Sequence, residues 1–432
     1  MASRPRRRPT DRRQPDRLQP DPGHPSRDEG GGRRVQCAPV RVIPGEFTPP
    51  ARLLLGPGPS QVHPRVLRAM AAPLLGHLDP AFVAMMEDVK RLLRFVFATE
   101  NPLTLPISGT GSAGMEAAIV NLVEPGDEVV MGVNGVFGTR LAEVVERAGA
   151  TAVRVEAPWG RVVRAEQIEA ALRGCRRPKL LALVHAETST GVWQPLEDAV
   201  RLAHDHGALF LTDCVTSLGG VPVEIDAWGI DAAYSGTQKC LSCPPGLAPV
   251  TFGPRALDAL HGRKTRVQSW YLDLTLLERY WGEERVYHHT APISMNYALR
   301  EALRLVAEEG LPARFARHRL NHAALAAGLA ALGLELAAEE GHRLPMLNAV
   351  TVPEGVDEAR VRGQLLAGRG IEIGGGLGPM KGRVWRIGLM GESSQRVHVL
   401  AVLAALEEAL RAERRLPAPG AAVAAAQAVY EA

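Results

Sequence analysis

The chain is poor in cysteine, in aromatic residues and in long apolar runs. Five cysteines (Cys37, Cys175, Cys214, Cys240 and Cys243) in 432 residues cannot staple a chain of this length, so a disulfide framework is excluded and a reducing, cytoplasmic setting is expected. Cys240 and Cys243 form a CxxC, but no second pair completes four ligands, so neither a zinc site nor any other metal is expected. A redox use of the pair is not favoured, because both residues adjoin Lys239 in a loop where small uncharged residues suffice. No apolar run approaches the roughly 18 residues of a membrane span, and no secretory signal is recognisable. An excess of positive charge is missing too, once the ends are separated. Residues 1–34 hold ten arginines against five acids, a net of +5, which leaves −2 for the rest of a chain whose total is +3. That removes the case for nucleic acid as a partner. The basic segment is rich in proline and glycine and lacks periodicity, so residues 1–50 are read as a disordered extension. Its prolines at 5, 9, 15, 20, 22 and 25 argue against an amphipathic transit helix.

What remains has the composition of a globular protein, 46% apolar and 22% charged. After Pro50 short apolar strands alternate with amphipathic helices. Pro80 to Phe97 and Thr139 to Ala148 read as helices. Thr104–Ile107, Val129–Val133, Leu180–Val184, Ala208–Thr212 and Ala232–Tyr234 read as strands. This rhythm predicts an α/β fold with a mostly parallel sheet buried between helices. We expect a large domain over 51–310 and a smaller C-terminal α+β domain over 311–415, with strands at Leu347–Val352, Ile371–Ile373 and Val384–Ile387 and a helix at Gln395–Arg411. A linker and short tail occupy 416–432.

Lys239 is the most informative residue. It lies in Ser235-Gly236-Thr237-Gln238-Lys239, just after a short apolar strand, and 26 residues after Asp213, which closes another. A lysine in a small-residue loop and a carboxylate at a strand end are what pyridoxal 5′-phosphate requires. The amine forms a Schiff base with the cofactor aldehyde, and the acid keeps the pyridine nitrogen protonated. Upstream, Ser108-Gly109-Thr110-Gly111-Ser112 sits where a strand feeds a helix, so its amides, hydroxyls and helix dipole favour an anion. His185-Ala186-Glu187-Thr188-Ser189-Thr190-Gly191 follows a strand at the edge where doubly wound sheets bind ligands. Thr188 is placed to bond the cofactor's phenolic oxygen, or else caps a turn. Arg386, a charge within an apolar strand, needs a partner, either a structural acid or a substrate carboxylate.

From about Leu53 to Arg411 these segments resemble the class V pyridoxal-phosphate aminotransferases, specifically the alanine/serine–glyoxylate branch. The matching motifs are GPGPS (56–60), NPLTLPISGTGSAGMEAAIVNLVEPGD (101–127), HAETSTGV (185–192), TDCVTSLGG (212–220), SGTQKCLSCPPG (235–246), YLDL (271–274), YHHT (287–290), GGLGP (375–379) and WRIGLMG (385–391). The resemblance implies the aspartate-aminotransferase-like fold of type I pyridoxal-phosphate transferases. It also implies a ping-pong transamination from alanine or serine to glyoxylate, giving glycine and a 2-oxo acid.

The roles it implies fall on particular residues. Lys239 would hold the cofactor and shuttle the proton at the substrate Cα, and Asp213 would pair with the pyridine nitrogen. Thr110, Gly111, Ser112 and Gln238 would hold the phosphate end, with Ser112 standing where some relatives have histidine, and Val215 would also contact the cofactor. Phe137 would stack on the ring in place of the usual tryptophan. Tyr287 and Thr290 would reach the phosphate of a neighbouring subunit, which implies a homodimer. Arg386 would grip the substrate carboxylate beside Gly58. A sister family uses (S)-ureidoglycine as donor, reading it with a glutamine and an asparagine where this chain has His77 and Trp270. A bulky indole cannot replace an amide that bonds a urea, so a small donor is expected, with ureidoglycine the alternative and a pyridoxal-phosphate lyase a further one. A cysteine desulfurase is not expected, because no cysteine follows Cys243.

Overall fold

Alternation within the strands explains the main layers. In Pro178–Val184 the side chains of Leu180 and Ala182 join one apolar cluster, while Leu181 and Leu183 join another on the opposite face. A strand with both faces covered has to be apolar throughout. The computed structural model describes residues 44–413 and 418–432, of which Ala51–Ala432 belong to one compact unit. Of residues 1–50, read as a disordered extension, 1–43 lie outside the described residues, and residues 44–50 form neither helix nor strand.

Seven strands build the central sheet: β1 (Leu103–Ser108), β2 (Glu128–Val133), β3 (Thr151–Glu156), β4 (Pro178–Val184), β5 (Leu209–Asp213), β6 (Ala232–Tyr234) and β7 (Leu247–Phe252). Their order is β1-β7-β6-β5-β4-β2-β3. β7 runs antiparallel to both its neighbours, and all other pairings are parallel. The C-terminal ends of β1, β4, β5 and β6 therefore share one edge, and every chemically suggestive loop leaves from it.

Among the helices, α1 (Pro80–Phe97) has the bounds the periodicity predicts. Asp79 caps it by accepting from Ala81 N–H at 2.8 Å, and Phe82, Met86, Val89, Leu93 and Val96 form its buried face. α2 spans Gly111–Leu122, so the segment read as a loop up to Ser112 is already helical from Gly111. α3 covers Val136–Arg147 and starts three residues before the expected Thr139. Glu187 causes the early start, because its carboxylate accepts the N–H groups of Phe137 and Gly138, a cap from a distant segment. Neither β3 nor β7 was anticipated.

A second sheet of three strands, β8 (Leu347–Thr351), β9 (Gly374–Gly375) and β10 (Val384–Gly388), is antiparallel in the order β8-β10-β9. It has its own apolar cluster, which includes Trp385, Ile387, Leu325 and Leu403. Helices α4 (Leu311–Ala331) and α5 (Arg396–Ala412) flank it. The alanine-rich end read as a short tail carries helix α6 (Ala421–Glu431), which buries Ala422 and Ala426 and bonds Tyr430 Oη to Asn321 Oδ1 at 2.6 Å.

Candidate active site

Asp213 is the last residue of β5, and its register partner on β6 is Tyr234. Tyr234 Oη donates to Asp213 Oδ2 at 2.8 Å, and Val215 N–H donates to Oδ1, also at 2.8 Å. The carboxyl is 3% exposed. Burial pushes its pKa up to about 6, against the pull of Val215, Tyr234 and Lys239. Lys239 follows β6 at the same edge and is likewise buried. Its Nζ donates to Pro57 O. A Cβ at Gly58 would lie 2.7 Å from that nitrogen, and Gly58 has φ +108°, so only glycine lets this turn close over the lysine. Burial, then the nearby Arg386, lowers Lys239 to about 8, while Cys240, Asp213 and Glu187 pull it up.

Arg386 on β10 enters from the other sheet. Its Nε donates to Gly375 O at 2.7 Å and Nη1 to Thr188 O at 3.2 Å, and the residue is 7% exposed. Burial lowers its pKa, and Glu187 opposes this. No structural acid forms an ion pair with it among the described residues, which leaves its fork directed by carbonyls and suited to a carboxylate.

Glu187 was missed. It is fully buried, and Oε1 accepts from Ser189 Oγ at 2.6 Å and Ser189 N–H at 3.0 Å, while Oε2 accepts from Phe137 N–H at 3.0 Å. Burial raises its pKa despite these bonds. A Cβ at Gly135 would collide with its side chain. Glu187 thus fixes Phe137, whose ring has Arg140 Cζ 5.0 Å from its centroid. The signal was present in the sequence, since an acid stands alone among small residues directly after an apolar strand. Tyr234, the buried partner of Asp213, carried no comparable signal.

Gly111, Val215, Gly236 and Gln238 lie close together. A Cβ on Gly111 would lie 3.1 Å from Val215 Cγ2, and one on Gly236 would lie 2.9 Å from Gln238 Oε1 and 3.4 Å from Gly111 Cα. Thr110 is the N-cap of α2 without a capping bond of its own, and Ser112 is exposed. Gln238 Oε1 is buried with no hydrogen-bond partner. A glycine-lined cradle at a helix N-terminus, a buried strand-end acid and a buried lysine of lowered pKa together fit pyridoxal phosphate.

Four other candidates have separate contacts. The His77 ring centroid is 5.1 Å from that of Tyr287, and Trp270 stacks on His288 at 4.3 Å with an interplanar angle of 11°. Trp270 and Tyr287 are 62% and 58% exposed, and Thr290 is exposed. None of the hydrogen bonds or ring contacts described for these four residues reaches Lys239, Asp213 or Arg386.

Comparison with known proteins gives a consistent answer. The profile of the family Aminotransferase class-V matches residues 52–382. A solved structure of an alanine–glyoxylate aminotransferase from Nostoc sp. is 53% identical and superposes with a TM-score of 0.84, over 86% of this chain and 98% of that one. The ureidoglycine–glyoxylate aminotransferase of Bacillus subtilis is 44% identical with a TM-score of 0.88, over 90% and 100%. Mouse alanine–glyoxylate aminotransferase is 42% identical across 88% of this chain and 93% of its own.

Proposed function

Because the chain belongs to the class V aminotransferases, we propose that it moves the amino group of alanine or serine to glyoxylate, leaving glycine and a 2-oxo acid. Its cofactor is pyridoxal 5′-phosphate, which when bound supplies the electron sink that stabilises negative charge at the substrate Cα. The observation that carries the reading is the meeting of Lys239, Asp213 and Arg386 at one buried edge.

Arg386 binds the α-carboxylate and so orients the amino acid. Lys239, whose amine burial holds below the usual lysine range, would take the proton from Cα and return it at the other end of the transfer. Asp213 would pair with the pyridine nitrogen, and Tyr234 and Val215 fix its two oxygens. Thr110, Gly111, Ser112 and Gln238 would hold the phosphate, Val215 would also contact the cofactor, Phe137 would cover the ring, and Thr188 would bond its phenolic oxygen. The Gly58 turn closes the pocket over Lys239 and limits the donor's size.

The partner is a second copy of the chain. Leu74, Leu78, Trp270 and Tyr287 are 70%, 46%, 62% and 58% exposed, an apolar area that a homodimer would cover. Tyr287 and Thr290 then reach the neighbouring site. The four described cysteines are all free, which supports a reducing cytoplasmic setting. Among the described residues no helix is long and apolar enough to cross a membrane.

A second donor, (S)-ureidoglycine, is supported by the close superposition on the Bacillus subtilis enzyme; the indole of Trp270 argues against it. Adding alanine, serine or ureidoglycine to the purified holoenzyme without an acceptor distinguishes them. Loss of the cofactor's visible band with alanine or serine, restored by glyoxylate, is expected. Bleaching by ureidoglycine alone would overturn the small-donor reading.

A further inference from the structure

One helix ties the active-site turns together from behind. α4 presents Arg314, Arg317, His318 and Asn321 at the three- and four-residue spacing that aligns side chains on one face. Arg314 is 5% exposed. Its Nε donates to Gly219 O at 2.9 Å, its Nη2 to Cys240 O at 2.5 Å and its Nη1 to Glu309 Oε2 at 2.6 Å. Cys240 adjoins Lys239, and Gly219 lies in the turn that Asp213 opens.

His318 and Arg317 extend the same tie to the segment after Arg386. His318 Nε2 accepts from Gly391 N–H at 3.0 Å, and its Nδ1 therefore carries the proton bonded to Arg314 O at 2.7 Å. Arg317 Nη1 donates to Gly391 O at 2.9 Å and Ser394 O at 2.6 Å. In the same turn Glu392 N–H bonds Ser242 Oγ at 2.7 Å, Ser242 Oγ lies 3.1 Å from Ser60 Oγ, and Ser60 Oγ donates to Lys239 O at 2.8 Å.

We infer that Arg314 is a positioning residue for the transamination: by gripping the carbonyls of Gly219 and Cys240 it sets the separation of the turns that carry Asp213 and Lys239. A guanidinium does this well because its donors lie in one rigid plane, whereas an ammonium is a single point charge. Burial of that charge is offset by Glu309 and the two carbonyls, a cost that simple packing would avoid with an apolar side chain. The inference rests on the roles proposed above for Lys239 and Asp213.

The test uses wild-type holoenzyme, Arg314→Met, Arg314→Lys and a control, Arg94→Met. Arg94 likewise binds two backbone carbonyls, those of Asn101 and Pro102, but away from the site. Two readouts are taken at saturating cofactor: the pH midpoint of the visible band without substrate, and kcat with KM for the donor. Arg314→Met should keep its far-ultraviolet circular dichroism, shift the midpoint and lose about 100-fold in kcat, with a smaller change in KM. Arg314→Lys should fall between it and wild type, and Arg94→Met should match wild type. An unchanged midpoint and kcat in Arg314→Met, even with a lower melting temperature, would overturn the inference. If Arg314→Met does not fold, His318→Gln replaces it, with a midpoint shift supporting the inference and a wild-type midpoint overturning it. A wild-type protein with no lysine-dependent band would instead sink the Lys239 assignment and this inference with it.

Discussion

The two clusters of candidate residues differ in what holds them. Lys239, Asp213, Glu187 and Arg386 are each less than a tenth exposed and are bonded mainly to backbone carbonyls and amides or to one another's neighbours. His77, Trp270 and Tyr287 make ring contacts instead, and Trp270 and Tyr287 are exposed while His77 is half-buried. A buried charge without partners is costly, so the first cluster has a geometry complete within one chain. The second has no such constraint. On the proposed reading, the proton transfer would fall to the closed cluster, while His77 and Trp270 would bear on the choice of donor and Tyr287 on the partner.

The comparison breaks most sharply at Lys239. Lys239→Ala should abolish turnover while circular dichroism stays unchanged; activity without an added amine would overturn the assignment. Arg386→Leu comes next. Losing a charge-assisted bond to the donor carboxylate should lower kcat/KM by about 10- to 100-fold, with cofactor affinity, measured by titrating the apoprotein, little altered.

A smaller effect concerns pH. In the apoprotein Lys239 titrates near 8 rather than 10.5, so between those values the folded state holds fewer protons than the unfolded one. Stability from this group should therefore rise with pH across that window, and Lys239→Met should lose the rise. Thermal melts from pH 7.5 to 10.5 check this. The smallest effect on the fold is expected at the open cluster. Trp270→Asn should leave the melting temperature unchanged, yet move donor preference toward ureidoglycine by about tenfold, read from competing donor rates.

Much of the closed cluster was legible because each of its residues breaks a local pattern. Asp213 and Arg386 are charges in apolar strands, and Lys239 sits among small hydroxyl residues. Glu187 breaks the pattern in the same way, but its meaning depends on Phe137 and Gly138, about 50 residues upstream. The early start of α3 follows from that same contact. β7 stayed hidden because its apolar run adjoins the lysine loop without a helix between, and β3 because an edge strand carries charges such as Arg154 and Glu156. The helix at Ala421–Glu431 has helix-forming residues, but its docking depends on Asn321 and Glu407.

By itself the sequence determined which residue types end the strands, where the apolar faces alternate and that a lysine, an acid and a glycine-rich anion loop occur in the order the chemistry needs. Those are local properties, set by side-chain period and backbone freedom. Only the tertiary structure decided that Pro57 would meet the lysine, that Arg386 would arrive from a second sheet and that Arg314 would hold two turns at once. Each of these joins residues far apart in the chain, and burial, which makes such pairings strong and shifts the pKa values of Lys239 and Asp213, exists only after the chain has folded.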